Sequence, residues 1–222
     1  MNPLLLALQH GDSAFPSGGF AFSQGLEGWT SESGRPDAGA LGNFMAQQVR
    51  RRWAISDRLA LLRAHEAADT ESIAEIDRAF DRTQVVATFA EGSRRNGRAL
   101  LSSHRRLGTD GAEALHETIS AGRMDGHLPV VQGAMWRALG LDAESAAAAS
   151  GYAFAAGMVT AAVRLNLIGA ITGQRLLADL LREVSGVLAQ PPSPDAEFAS
   201  FTPFAEIAAM RGATGDSRLF SN

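Results

Sequence analysis

The stretch Gln174-Arg175-Leu176-Leu177-Ala178-Asp179-Leu180-Leu181-Arg182-Glu183-Val184-Ser185-Gly186-Val187-Leu188 sets the fold class. Leu176, Leu177, Leu180, Leu181, Val184 and Leu188 share one face of a helix with 3.6 residues per turn, and the charged residues fall on the other. Pro191-Pro192-Ser193-Pro194 stops it, because proline brings no N–H to the helical ladder. Working toward the N-terminus, Asp142 caps a long apolar helix, and Pro129 opens a segment through Trp136 to Leu139 that Gly140 closes. A further helix spans 112–121. Thr70 or Ser72 starts the next helix, since Ser72 and Glu75 have capping-box spacing and Ile73, Ile76, Phe80 and Ala87 form its buried stripe. That helix runs to Leu107 or breaks near Gly92, with Gly108 as its stop.

Arg35-Pro36-Asp37 starts a helix over 37–53 carrying Leu41, Phe44, Met45, Gln48, Val49 and Trp53. A break near Ile55-Ser56-Asp57 then lets Asp57 cap a second helix to about residue 67. A short helix around 204–210 precedes a polar tail, 211–222. Nothing alternates apolar and polar residues long enough to argue a sheet. The expectation is an all-α, single-domain bundle of roughly eight to ten helices over 1–222, with an N-terminal segment, 1–35, and the C-terminal tail as appendages.

Composition removes whole classes of chemistry. Of 222 residues 45% are apolar and 20% charged, which is a globular balance. All 20 basic residues are arginines and there is no cysteine. Without lysine there is no Walker P-loop, kinase lysine or Schiff base. Without cysteine there is no thiolate nucleophile, disulfide or Cys-type metal site, and the chain fits a reducing cytoplasm. A net charge of -4 lacks the basic excess of a nucleic-acid binder. The apolar run 146–171 is long enough to cross a bilayer, but Arg164 inside it costs roughly 2.5–3.5 kcal/mol on insertion scales. It reads as a buried soluble helix, and no membrane role is expected.

Catalytic and metal-binding patterns are sparse. His10, His65, His104, His116 and His127 show no His-x-His or His-Glu-x-x-His spacing, so no metal, cofactor or catalytic residue is assigned. Ala21-Phe22-Ser23-Gln24-Gly25 approaches a nucleophile elbow, which makes a serine hydrolase using Ser23 one alternative. The elbow needs a strand leading into the serine, and here the lead-in is the turn Phe15-Pro16-Ser17-Gly18-Gly19. A helical interaction protein without any metal connection is a second alternative.

Two segments stand out. Residues 12–27 crowd Phe15, Pro16, Gly18, Gly19, Phe20, Phe22 and Gly25 together, a composition that makes either a packed corner or an exposed anchor. Taken alone, packing is the commoner explanation. The island Glu91-Gly92-Ser93-Arg94-Arg95-Asn96-Gly97-Arg98 places two glycines mid-helix at about 1 kcal/mol each relative to alanine. Close approach of another backbone and a solvated salt-bridged face both account for it.

These residues, in order, resemble the UreF family of urease accessory proteins. The resemblance rests on Asp12-Ser13-Ala14-Phe15-Pro16-Ser17-Gly18-Gly19-Phe20 with Ser23, Gly25, Leu26 and Glu27, and on the island from Glu91 to Leu101. It continues through His127-Leu128-Pro129-Val130-Val131-Gln132-Gly133 and Ala161-Ala162-Val163-Arg164-Leu165 to the ending Ser217-Arg218-Leu219-Phe220. Gly212-Ala213 and Asp216 replace a His-Glu pair and a nearby aromatic usual in that family's tail, which bears on the tail's contacts. The resemblance implies a cytoplasmic, homodimeric, non-enzymatic adaptor that binds the UreD/UreH accessory protein, recruits the GTPase UreG and supports nickel delivery to apo-urease. Phe15, Pro16, Gly18, Gly19, Phe20, Ser23, Gly25, Leu26, Glu27 and Trp29 would then join Arg218, Leu219 and Phe220 in one docking surface. Glu91, Arg94 and Arg98 are the expected GTPase-facing set.

Overall fold

A computed structural model of the chain describes residues 2–12, 14–17 and 24–212, and all regular structure among them is helical. The elements are α1 (Pro3–Gly11), α2 (Leu26–Ser33), α3 (Ala38–Gln48), a π-helical segment (Val49–Asp57), α4 (Arg58–Glu66), α5 (Thr70–Asp81), α6 (Ala87–Leu107), α7 (Ala112–Ser120), α8 (Leu128–Ala138), α9 (Ala143–Arg164), α10 (Ala170–Leu188) and α11 (Pro203–Gly212). Because α3, the π segment and α4 run on without a break, the described residues form ten helical rods.

Helix starts follow short polar side chains. Asn2, Asp37, Asp69 and Asp142 each accept a hydrogen bond from a first-turn backbone N–H, at 2.9, 2.7, 2.8 and 2.7 Å. Such caps are worth about 1 kcal/mol each. Three expectations are corrected. Of the two offered starts Thr70 is the first residue of α5, but its cap is Asp69 and not Ser72: the Asp69 carboxylate accepts from both the backbone N–H and the hydroxyl of Ser72. The chain breaks between Asp81 and Ala87 and not near Gly92, so Ala87 opens a new helix and is exposed rather than part of the α5 stripe. The predicted break at 55–57 does not occur: Asp57 has helical dihedrals, φ -64° and ψ -45°, and caps nothing.

Three apolar clusters hold the rods together. Leu41, Met45, Val49 and Trp53 meet Met158, Val159, Leu180 and Val184 between α3, the π segment, α9 and α10. Phe80, Leu100, Leu115, Val131 and Met135 join α5, α6, α7 and α8. Leu6, Leu61, Trp136 and Leu141 seat α1 against α4, α8 and α9. Each fully buried Leu, Val, Met or Phe contributes about 1.5–3 kcal/mol. The α9 helix is apolar and long enough to cross a membrane by length and composition, but Ala146, Ala155, Met158 and Ala162 are buried within the bundle.

Arginines close helix ends. Arg35 donates from Nε and Nη2 to the Leu167 carbonyl beyond α9, at 3.1 and 3.0 Å. Arg58 reaches the Val187 and Gln190 carbonyls at the end of α10, at 3.0 and 2.8 Å. Arg137 donates to Ala67 past α4. The last carbonyls of a helix have no internal partner, and a guanidinium fork satisfies them with two donors in one plane.

The segment 190–202 decides where α11 goes. It crosses the π segment, with the Ala199 and Phe201 N–H groups donating to the Ile55 and Arg51 carbonyls at 3.3 and 3.1 Å. Arg63 bonds the Ala196 carbonyl and lies over the Phe198 ring, 4.7 Å from its centroid. Held in this way, the linker delivers α11 onto α2, and the last helix packs against the second.

Candidate docking surface

Gly25 makes the approach of α2 to α11 possible. It adopts φ +83°, and a Cβ there would lie 2.6 Å from the Ala205 carbonyl oxygen, so only glycine fits both the dihedral and the space. Leu26 is buried beneath α2, while Trp29 is half-buried on its rim. The Trp29 ring stacks on Phe44 at 5.0 Å and meets Phe204 edge-on at 5.4 Å. Along 201–210, Phe201, Phe204, Ile207 and Met210 recur every third residue, and they are 72, 56, 45 and 50% exposed. A groove of about 550 Å³ runs between Phe201 and Phe204, at the start of this stripe, and Ala40, Asn43, Gln47 and Arg51. Thr202 and Glu206 fix the start of the stripe, since the Glu206 carboxylate accepts from the Thr202 N–H at 3.1 Å and its hydroxyl at 3.0 Å.

The expected docking residues distribute unevenly. Trp29, Glu27 and Gly25 lie on α2 or at its start, beside α11. Phe15 points inward, 9% exposed, with its ring 4.4 Å from His10 and 5.7 Å from His104. Pro16 is exposed, and its carbonyl accepts from the Ser103 hydroxyl at 2.7 Å. Gly18, Gly19, Phe20, Ser23, Arg218, Leu219 and Phe220 lie outside the described residues, as do Ala213 and Asp216 of the altered tail. The stripe on α11 was not singled out in sequence, although apolar residues at 201, 204, 207 and 210 after a proline were a readable signal.

The polar island builds a buried hub. A Cβ on Gly97 would lie 2.1 Å from the Gly126 carbonyl oxygen, so α6 touches the 125–128 turn backbone to backbone. Asp77, fully buried, accepts from the N–H groups of Asp125, Gly126 and His127 at 2.6, 3.0 and 2.8 Å. His127, also buried, is 3.1 Å through Nδ1 from the Ser93 hydroxyl and 2.9 Å through Nε2 from Asp81. Serine, histidine and aspartate thus meet as a trio, with the two ring nitrogens exchanged relative to a hydrolase triad, where Nε2 faces the serine. Here, however, the Ser93 oxygen accepts the Leu128 N–H at 3.2 Å, and the histidine has no exposed surface. The trio therefore clamps the start of α8 instead of facing a substrate. Of the expected GTPase-facing residues, Glu91 is exposed, Arg94 pairs with Asp81 at 2.9 Å, and Arg98 donates to the Asp125 carbonyl at 2.9 Å. Both readings of the island hold in part: backbone contact on its inner face, ion pairs on its rim.

Two further buried groups carry electrostatic strain. His10 and His104 stack at 5.2 Å, and burial lowers the pKa of both; for His104, burial and then neighbouring His10 bring it to about 4. Arg52 lies 3.9 Å from Asp57, over the Phe89 ring at 4.2 Å and 2.8 Å from the Gln24 side-chain oxygen. Burial pushes the Asp57 carboxyl up and the Arg52 guanidinium down, and their attraction opposes both shifts. Among the described residues no three His, Asp or Glu side chains are grouped to hold a metal ion.

An all-α bundle whose second and last helices share one exposed apolar face defines the class of protein. The family model for UreF matches residues 36–181. The chain is 30% identical to the urease accessory protein UreF of Trichodesmium erythraeum, over 98% of this chain and 96% of that one. It is 32% identical to UreF 1 of Brucella melitensis, over 99% and 92%, and 29% identical to UreF of an Arthrobacter species, over 97% and 96%. The chain belongs to the UreF family of urease accessory proteins.

Proposed function

We propose that this protein is a non-enzymatic adaptor of urease maturation, which binds the UreD/UreH accessory protein through the α2–α11 face, recruits the GTPase UreG and supports nickel insertion into apo-urease. The observation that carries this reading is the exposed stripe of Phe201, Phe204, Ile207 and Met210 beside Trp29. Apolar side chains so arranged around a groove are the anchors of a protein interface, where a few buried aromatics supply most of the affinity. The tail 213–222 follows α11 directly in the sequence, and the proposal includes its Arg218, Leu219 and Phe220 among the docking residues. Family membership supports partners within the urease accessory machinery in general; the named partners, a homodimer and a cytoplasmic setting belong to the same reading.

Co-purification with the UreD/UreH partner tests it. Phe201→Asp combined with Phe204→Asp abolishes capture while the helical circular dichroism stays intact, and Leu5→Asp, at an exposed leucine of α1, leaves capture unchanged. Deleting 211–222 likewise removes capture. Equal yields from all three variants would refute the assignment of this face. Esterase turnover by the purified chain that disappears in Ser23→Ala would replace the adaptor reading with the hydrolase one.

A further inference from the structure

The π segment is the one stretch of the described chain where residues five apart stack. In an α-helix, positions 52 and 57 would point about 140° apart around the axis, since each residue turns 100°. In the wider i→i+5 spiral they fall on successive turns of one side. The Arg58 N–H accordingly bonds the Trp53 carbonyl, five residues back, and Arg52 faces Asp57 at 3.9 Å with both side chains largely buried. The same segment offers the Arg51 and Ile55 carbonyls to the Phe201 and Ala199 N–H groups, so the register of this spiral sets where the 199–201 segment lies. Arg52 also binds Gln24, which leads directly into α2, and feels the Glu206 carboxylate that organises the start of α11. One guanidinium is thus the meeting point of the two ends of the apolar face.

We propose that the Arg52–Asp57 ion pair is a register lock: it holds residues 49–57 in the π spiral, and that spiral positions Phe201 and α11 against Trp29. Arg52 and Asp57 are positioning residues for the α2–α11 face, and this inference rests on reading that face as the docking surface. An α-helical register would carry Asp57 away from Arg52, rotate the Arg51 and Ile55 carbonyls off the 199–201 segment and disperse the groove.

Amide hydrogen exchange on the full chain tests the lock without any partner. In Asp57→Asn the Ala199 and Phe201 amides exchange at least tenfold faster than in the unmutated chain, while the Val131 amide, bonded to the His127 carbonyl in the distant hub, keeps its rate. Asp57→Glu, which retains a carboxylate, restores most of the protection. Unchanged rates at 199 and 201, or an equal acceleration at 131, would overturn the proposal, since a merely stabilising residue speeds all of them together. Should Asp57→Asn not fold, the unmutated protein decides the matter: an NMR coupling across the hydrogen bond between the Arg58 nitrogen and the Trp53 carbonyl carbon supports the π register, and its absence overturns it. Capture of the UreD/UreH partner is scored separately. Lost protection with full capture refutes the docking reading and leaves the lock standing, whereas intact protection refutes the lock whatever the partner does.

Discussion

The hub at 125–128 and the face between α2 and α11 invert the usual rule in opposite directions. In the hub, Asp77, Ser93 and His127 are polar and buried, and each finds partners within the fold. On the face, Phe201, Phe204, Ile207 and Met210 are apolar and exposed. A buried polar group costs free energy unless hydrogen-bonded, so the hub is a fastener whose every member matters to stability. A largely exposed phenyl ring gains little from folding, so on the proposed docking reading substitutions on the face change what binds and leave the bundle standing. The contrast separates residues that make the structure from residues that use it.

The largest effect expected is that of Gly97→Val, which has no room beside the Gly126 carbonyl and prevents soluble expression; a folded Gly97→Val with a wild-type melting curve would break the hub side of the comparison. Asp77→Ala leaves three backbone N–H groups without their acceptor and lowers stability by about 3 kcal/mol, read by urea unfolding. Acid acts on the stacked histidines. Their folded pKa values are depressed, so the unfolded chain takes up the proton first as pH falls. Stability is complete above about pH 6.5, and it drains away toward pH 4, where His104 in the fold is also protonated. With His104 lowered from 6.5 to about 4, the loss over that window amounts to about 3 kcal/mol. A His104→Gln variant flattens the dependence of melting temperature on pH, and an unaltered slope would show that other groups govern it. The smallest stability change is that of Phe201→Asp, within about 0.5 kcal/mol, beside a complete loss of partner capture. A large fall in melting temperature there would erase the distinction between the two regions.

The helices were legible because their apolar residues keep a 3.6-residue period, as Leu177, Leu180 and Val184 do on α10 and Met158 and Ala162 on α9. The π segment was not. Asp57 after Ser56 reads as a cap, and its true partner stands five residues back, a spacing that belongs to no α-helical template. The hub was half legible: Gly92 and Gly97 announced a close contact, but nothing local says that residue 97 meets residue 126, or that Ser93, Asp81 and His127 converge from three segments. Of the proposed docking face, Gly25 stood out through the crowded segment 12–27 and Trp29 only through the family resemblance, whereas the stripe through α11 was overlooked because a ten-residue helix offers few turns over which a period can declare itself.

The arginines that end the helices carry a consequence for composition. A lysine at position 35, 58 or 137 would preserve the formal charge, yet a compact ammonium lacks the planar fork with which Arg58 spans two carbonyls and Arg35 places two donors on one. Wholesale exchange of arginine for lysine would leave the isoelectric behaviour unaltered and fray the bundle from its helix tips inward. In this chain the choice of one cation over the other is part of the architecture.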